Sequence, residues 1–192
     1  MSGFFDDTFS AFLHIGFLHI IEGYDHLLFL LGLILVTKQW KSLLKVISAF
    51  TVAHSTTLIL SARGILSLPP IVTESLIALS IVYVGIENVV RKETKNRWIV
   101  AGSFGLIHGA GFSGHLTELL KAQLGMGNIW SPITGFNIGI ELGQLTVIAC
   151  VYPLMMLMRR YNSERSIVPE VSRVIAAIGG VLMVFRLFGM NP

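Results

Sequence analysis

The chain alternates long apolar stretches with short polar connectors, and six such stretches can be marked. The first runs from about Ser10 to Thr37 and the second from about Leu43 to Ala62. The third follows Pro69-Pro70 and reaches about Val90; the fourth runs from about Trp98 to Leu120. The fifth starts at Ser131-Pro132 and reaches about Met158, and the sixth starts at Pro169-Glu170 and ends near Phe188. A cap followed by proline at the first helical position suits both of the last two starts. Each stretch is close to the roughly 20 residues that a helix needs to cross a bilayer, and short connectors fit neighbouring antiparallel helices. The pattern predicts an all-α, polytopic membrane protein: one transmembrane domain of six helices over residues 1–192, without a second domain, long linker or low-complexity tract.

Composition agrees. A mean hydropathy of +0.73, with 53% hydrophobic and 13% charged residues, is far outside the range of soluble domains. A net charge of +3 and a pI near 9.2 would fit nucleic acid only if the basic residues shared a surface. Instead they sit in connectors, so nucleic acid is excluded as a partner and the lipid bilayer takes its place. Lys38, Lys41 and Lys45 follow the first stretch; Arg91, Lys92, Lys95 and Arg97 follow the third; Arg159, Arg160, Arg165 and Arg173 surround the fifth–sixth connector. The opposite ends hold Arg63, Lys121 and Arg186. The positive-inside rule then puts both termini outside the cytoplasm, in a multi-pass protein of the cell inner membrane. The first residues lack a basic region and a small-residue cleavage site, so the first stretch is read as a retained span. Cys150 is the single cysteine and lies inside an apolar run.

Candidate chemistry is concentrated in the first span, HIGFLHIIEGYDHLLFLLGLILV. On one continuous helix with His14 at about 0°, Asp25 falls near about 20°, Glu22 about 80°, His26 about 120° and His19 about 140°. Ionisable residues at membrane depth are costly and mark functional sites facing the bundle interior. His54 falls in the middle of the second span, His108 in the middle of the fourth with His115 a heptad further out, and Glu141 on the fifth. A single histidine such as His14 or His54 is more often a satisfied core residue. All six histidines of the chain in the outer half of the membrane, with three carboxylates, is a different matter. Imidazoles with few carboxylates suit nickel, zinc, cobalt or copper, whereas magnesium or calcium would draw mostly oxygen ligands. The competing reading is a proton relay of His, Asp and Glu. The candidate metal residues are therefore His14, His19, Glu22, Asp25, His26, His54, His108, His115 and Glu141. His19 and His26 are two turns apart on a straight helix, so either would need ligands from other helices, with Asp25 orienting a ligating histidine. Two sites are the alternative: an outer one near His14 and His115, and a deeper one near His26, His54 and His108.

Gly135, Gly139 and Gly143 form a ladder on the fifth span, serving either close contact with another helix or a homo-oligomer. Asn137, Glu141 and Gln144 lie opposite, which leaves little surface for lipid and puts this span in the centre. Pro153 is expected to kink it. Blander roles suit Glu74 (helix dipole), Glu87 (a pair with Arg91), Glu118 with Lys121, and the apolar Met155, Met156 and Met158. The glycines of IHGAGFSGH are expected to let backbone approach beside the site.

With those residues in view, His19-x5-Asp25-His26 within HIIEGYDHLLFLLGL resembles the first-helix signature of the HupE/UreJ family of membrane proteins. FTVAHSTTL around His54, FGLIHGAGFSG around His108 and FNIGIELGQL around Glu141 are similar to further blocks of its second subgroup, in order along nearly the whole chain. The resemblance implies a hydrogenase or urease accessory protein, or a permease for nickel or cobalt, in which His19, Asp25 and His26 contact the ion. The expected function is thus a permease for a divalent transition metal, nickel first, with zinc, cobalt and copper as alternatives. Its rivals are a zinc-dependent intramembrane hydrolase, with three histidines and a water on the metal, and a metal-binding accessory or sensor subunit that transports nothing.

Overall fold

The structure, a computed structural model, describes residues 2–91, 96–111, 118–119, 122, 130–161 and 164–189, the side chains of 2–6 and 164–166 excepted. Its named elements are seven α-helices, and no strand occurs among the described residues. They are α1 (Ser2–Glu22), α2 (Tyr24–Val36), α3 (Trp40–Ala62), α4 (Pro70–Val90), α5 (Arg97–Ala110), α6 (Trp130–Arg160) and α7 (Glu164–Leu187).

The first apolar stretch is not the single helix its periodicity predicts. It breaks at Gly23, and α1 and α2 meet at a bend of 69°. Gly23 still donates its N–H to the His19 carbonyl at 3.2 Å and accepts from Leu27 N–H at 3.0 Å. A β-carbon there would stand 2.5 Å from the His19 oxygen and 2.9 Å from His26 Nδ1, so the bend depends on glycine. The five polar residues therefore do not form one continuous stripe. Among the described residues, helices α3, α4, α6 and the Ile167–Leu187 part of α7 are long and apolar enough to cross a membrane, and the bent pair brings the candidate spans to as many as five. The fourth expected span is represented by α5, whose 14 residues fall short of that length. Most of its expected continuation to Leu120 lies outside the described residues. α7 begins at Glu164, ahead of Pro169, so the proline lies inside the helix and removes one backbone hydrogen bond instead of starting it. α6 runs on through Pro153 as one helix.

Three helix pairs dominate the packing: α1 with α6, α3 with α5, and α4 with α7. Glycine explains each. A β-carbon at Gly135 would stand 2.5 Å from the Phe9 carbonyl, and one at Gly139 would strike the Leu13 carbonyl, so α6 lies backbone to backbone on α1. The glycine ladder thus packs against α1 of the same chain. In the same way Gly105 and Gly109 lie against the Phe50 and His54 carbonyls of α3, and Gly85 against Ser172 and Ala176 of α7. The expected close approach beside His108 is therefore present.

α2 is more deeply buried than α6. It touches α1, α4, α6 and α7, and His26, Phe29, Leu30, Gly32, Leu33, Ile34 and Leu35 are buried on it. α6 instead exposes Ile138, Leu142 and Leu145 along one stripe. Similar stripes on α4 (Leu79, Tyr83, Ile86, Val90) and α7 (Val174, Ile178, Val181) make a belt that only lipid covers without cost. The last turn of α2 is held by Arg97, which is 5% exposed rather than a connector charge. Its guanidinium donates to the Gly32 and Leu33 carbonyls at 3.2 Å each and to Asn88 Oδ1, and pairs with Glu87 at 3.4 Å. Arg159 donates to the Thr37 carbonyl at 3.2 Å. Cations at the carbonyl end of a helix are favourable. Glu87 also pairs with Arg91 at 3.1 Å, as its spacing predicts.

Candidate functional site

The helix arrangement brings four of the six histidines together. His19 comes from the last turn of α1, His26 from the first turn of α2, His54 from α3 and His108 from the last turn of α5. His26 is the hub: its ring centroid lies 4.4 Å from His19, 4.9 Å from His108 and 6.0 Å from His54. His19 and His54 are 5.8 Å apart. The Gly23 bend produces the closest of these contacts, since a straight helix keeps residues seven apart on separate turns. His26, His54 and His108 are buried, at 8%, 0% and 1% exposure.

The tetrad sits at a seam between two apolar clusters. Phe29 and Phe50 belong to one and Phe136 to the other. Phe50 stacks on His54 at 5.7 Å and meets His108 edge-on at 5.3 Å, while Phe136 lies 5.8 Å from His19. A cavity of about 10 Å³, room for roughly one water, adjoins His26 among Phe29, Phe50 and Gln144. Polar contacts brace the α3 side: Thr51 donates to Gln144 at 3.1 Å, and Ser55 to Asn137.

One hydroxyl orients His108. Ser80 Oγ donates to the Ile77 carbonyl at 2.6 Å and lies 2.9 Å from His108 Nε2. A hydroxyl has one proton to give, so the second contact is an N–H of His108 donating to Ser80. That puts the proton on Nε2 and the lone pair on Nδ1, which is buried without a hydrogen-bond partner. His26 Nε2 is in the same condition. Buried imidazole nitrogens left unpaired are costly as packing and suited to an electrophile. The donor set therefore fits a borderline transition-metal cation. Among the described residues, no three His, Cys, Asp or Glu side chains already surround a common point as ligands would. The rings pack edge to face, and a bound ion would require them to rotate.

The remaining candidates lie elsewhere. His14 and Glu22 are exposed. Glu141 is half-buried on α6, and no hydrogen bond or ion pair among the described residues joins it to the rings. Asp25 does not orient a histidine; its Oδ2 accepts from Arg186 at 2.6 Å. His115, and with it the outer of the two expected sites, lies outside the described residues. Sequence reasoning missed Ser80, which looks like any small polar residue in an apolar run. It also counted Arg186 and Arg97 as topology charges, although Arg186 inside VLMVFRLFG already breaks an apolar stretch.

These features define a class: a multi-pass helical membrane protein in which four imidazoles converge, three of them buried. A family model described as "HupE / UreJ protein" matches residues 2–190, and the chain belongs to that family. No curated protein and no solved structure matches the chain.

Proposed function

We propose that the chain is a permease of the cell inner membrane for a divalent transition metal, nickel first. The family's link to nickel and cobalt transport or accessory roles supports this reading. The convergence of His19, His26, His54 and His108 from four helices carries it. By the positive-inside rule the connectors rich in lysine and arginine face the cytoplasm, so the ion arrives from the opposite side. It exchanges water for imidazole nitrogens at the tetrad, with His108 offering Nδ1 and His26 offering Nε2. No nucleotide-binding motif occurs in the sequence, so the drive is the membrane potential or proton exchange. A dication moving inward gains about 4.6 kcal/mol per 100 mV, twice the single-charge figure. The cavity of about 10 Å³ beside His26 favours an ion over an acyl chain, and with it transport over the hydrolase reading. The test is nickel uptake by cells expressing wild type or His26→Ala at matched membrane levels. The expected result is loss of most uptake in the variant; equal uptake in both removes the proposal.

A further inference from the structure

Four neutral imidazoles in an apolar shell can bind a dication but cannot neutralise it, and a carboxylate stands next to them in the chain. Asp25 immediately precedes His26 at the start of α2. Its carboxylate is committed to Arg186, near the end of α7, at 2.6 Å. Both side chains are withdrawn from solvent, at 6% exposure for Arg186 and 17% for Asp25. Arg186 is anchored besides, donating to the Glu74 carbonyl at 2.9 Å and to the Tyr24 hydroxyl at 3.5 Å. Asp25 is only half satisfied: Oδ1 is buried without a hydrogen-bond partner. The pair is thus an ion pair with one carboxylate oxygen in reserve, one residue along the chain from the hub of a cluster that lacks an anion.

We propose that Arg186 is a resident counter-cation that holds Asp25 while the tetrad is free and releases it to an arriving dication. The inference rests on the metal reading of the tetrad. Arg186 carries one charge, so a monovalent ion that displaces it gains nothing in Coulomb energy, whereas a dication gains. The exchange favours doubly charged cargo and leaves the empty protein without a bare buried carboxylate. Coupling is reciprocal: filling the tetrad weakens the pair, and removing the guanidinium strengthens metal binding.

The test is equilibrium binding of nickel(II) alone to purified full-length protein in lipid nanodiscs. Arg186→Gln is expected to bind nickel at least about tenfold more tightly than wild type, and Asp25→Asn about tenfold more weakly, following the loss or gain of one charge interaction. The double variant is expected to match Asp25→Asn, because Arg186 acts through Asp25. A merely structural role predicts weaker binding in both single variants. If Arg186→Gln does not yield folded protein, Arg186→Lys keeps the charge, loses the multiple contacts, and is expected to tighten binding by a smaller factor. Wild-type binding with unchanged or weakened affinity in the folded Arg186 variants overturns this inference alone. No nickel binding by wild type overturns the tetrad reading and this inference together.

Discussion

At the scale of the residue, His108 shows how a ring can be set by a hydroxyl from a neighbouring helix. Ser80 gives its proton to Ile77 and takes one from His108 Nε2, leaving the Nδ1 lone pair directed by default. Ser80→Ala removes that constraint. Nickel affinity of the purified protein is expected to fall about 10–100-fold, the usual cost of losing a partner behind a ligand. Unfolding stability is expected to fall by no more than about 1–3 kcal/mol. Calorimetric titration and thermal unfolding in detergent measure the two. The sequence made the histidines legible because a titratable group inside an apolar run has few bland explanations. Ser80 was not legible, since serine is tolerated almost anywhere in a membrane helix. Asp25 was legible as buried charge but not in its partner, because Arg186 is 161 positions away in the chain.

At the scale of the element, the glycines are the best-read signal and the bend at Gly23 the worst. GxxxG spacing announces close approach, and the ladder on α6 makes it, although against α1 and not a second copy. Gly139→Val pushes two branches toward the Leu13 carbonyl and is expected to cost about 1–3 kcal/mol, as overpacking does. Gly180→Ala is the contrast, because a β-carbon there meets nothing within 4 Å. It is expected to be neutral or to gain up to about 1 kcal/mol from higher helix propensity. Thermal unfolding of both variants in one detergent checks the pair. Gly23 escaped notice because hydropathy continues across it: a bend inside an apolar run leaves no mark in a hydrophobic profile. Its effect is nonetheless large, since it turns residues a straight helix would separate into the closest pair of rings, 4.4 Å apart.

At the scale of the whole molecule, the lysine and arginine bias and the lipid-facing stripes agree with a protein that crosses the membrane several times. Helix count was less legible than helix character. α5 is short, and a bent span and a straight one look alike in composition. Orientation is testable directly. A reporter active only in the cytoplasm, fused after Arg160, is expected to be active, and one fused after Gly64 inactive; the reverse pattern inverts the arrangement and, with it, the direction proposed for the ion. The order in which the tetrad and its guanidinium occur along the chain has a consequence for biogenesis. A ribosome delivers all four rings by residue 108, yet Arg186 emerges only with the last described helix. If Arg186 holds Asp25 as proposed above, a half-made chain carries that carboxylate without its guanidinium for the whole interval, and only the turn that brings Arg186 completes the pair.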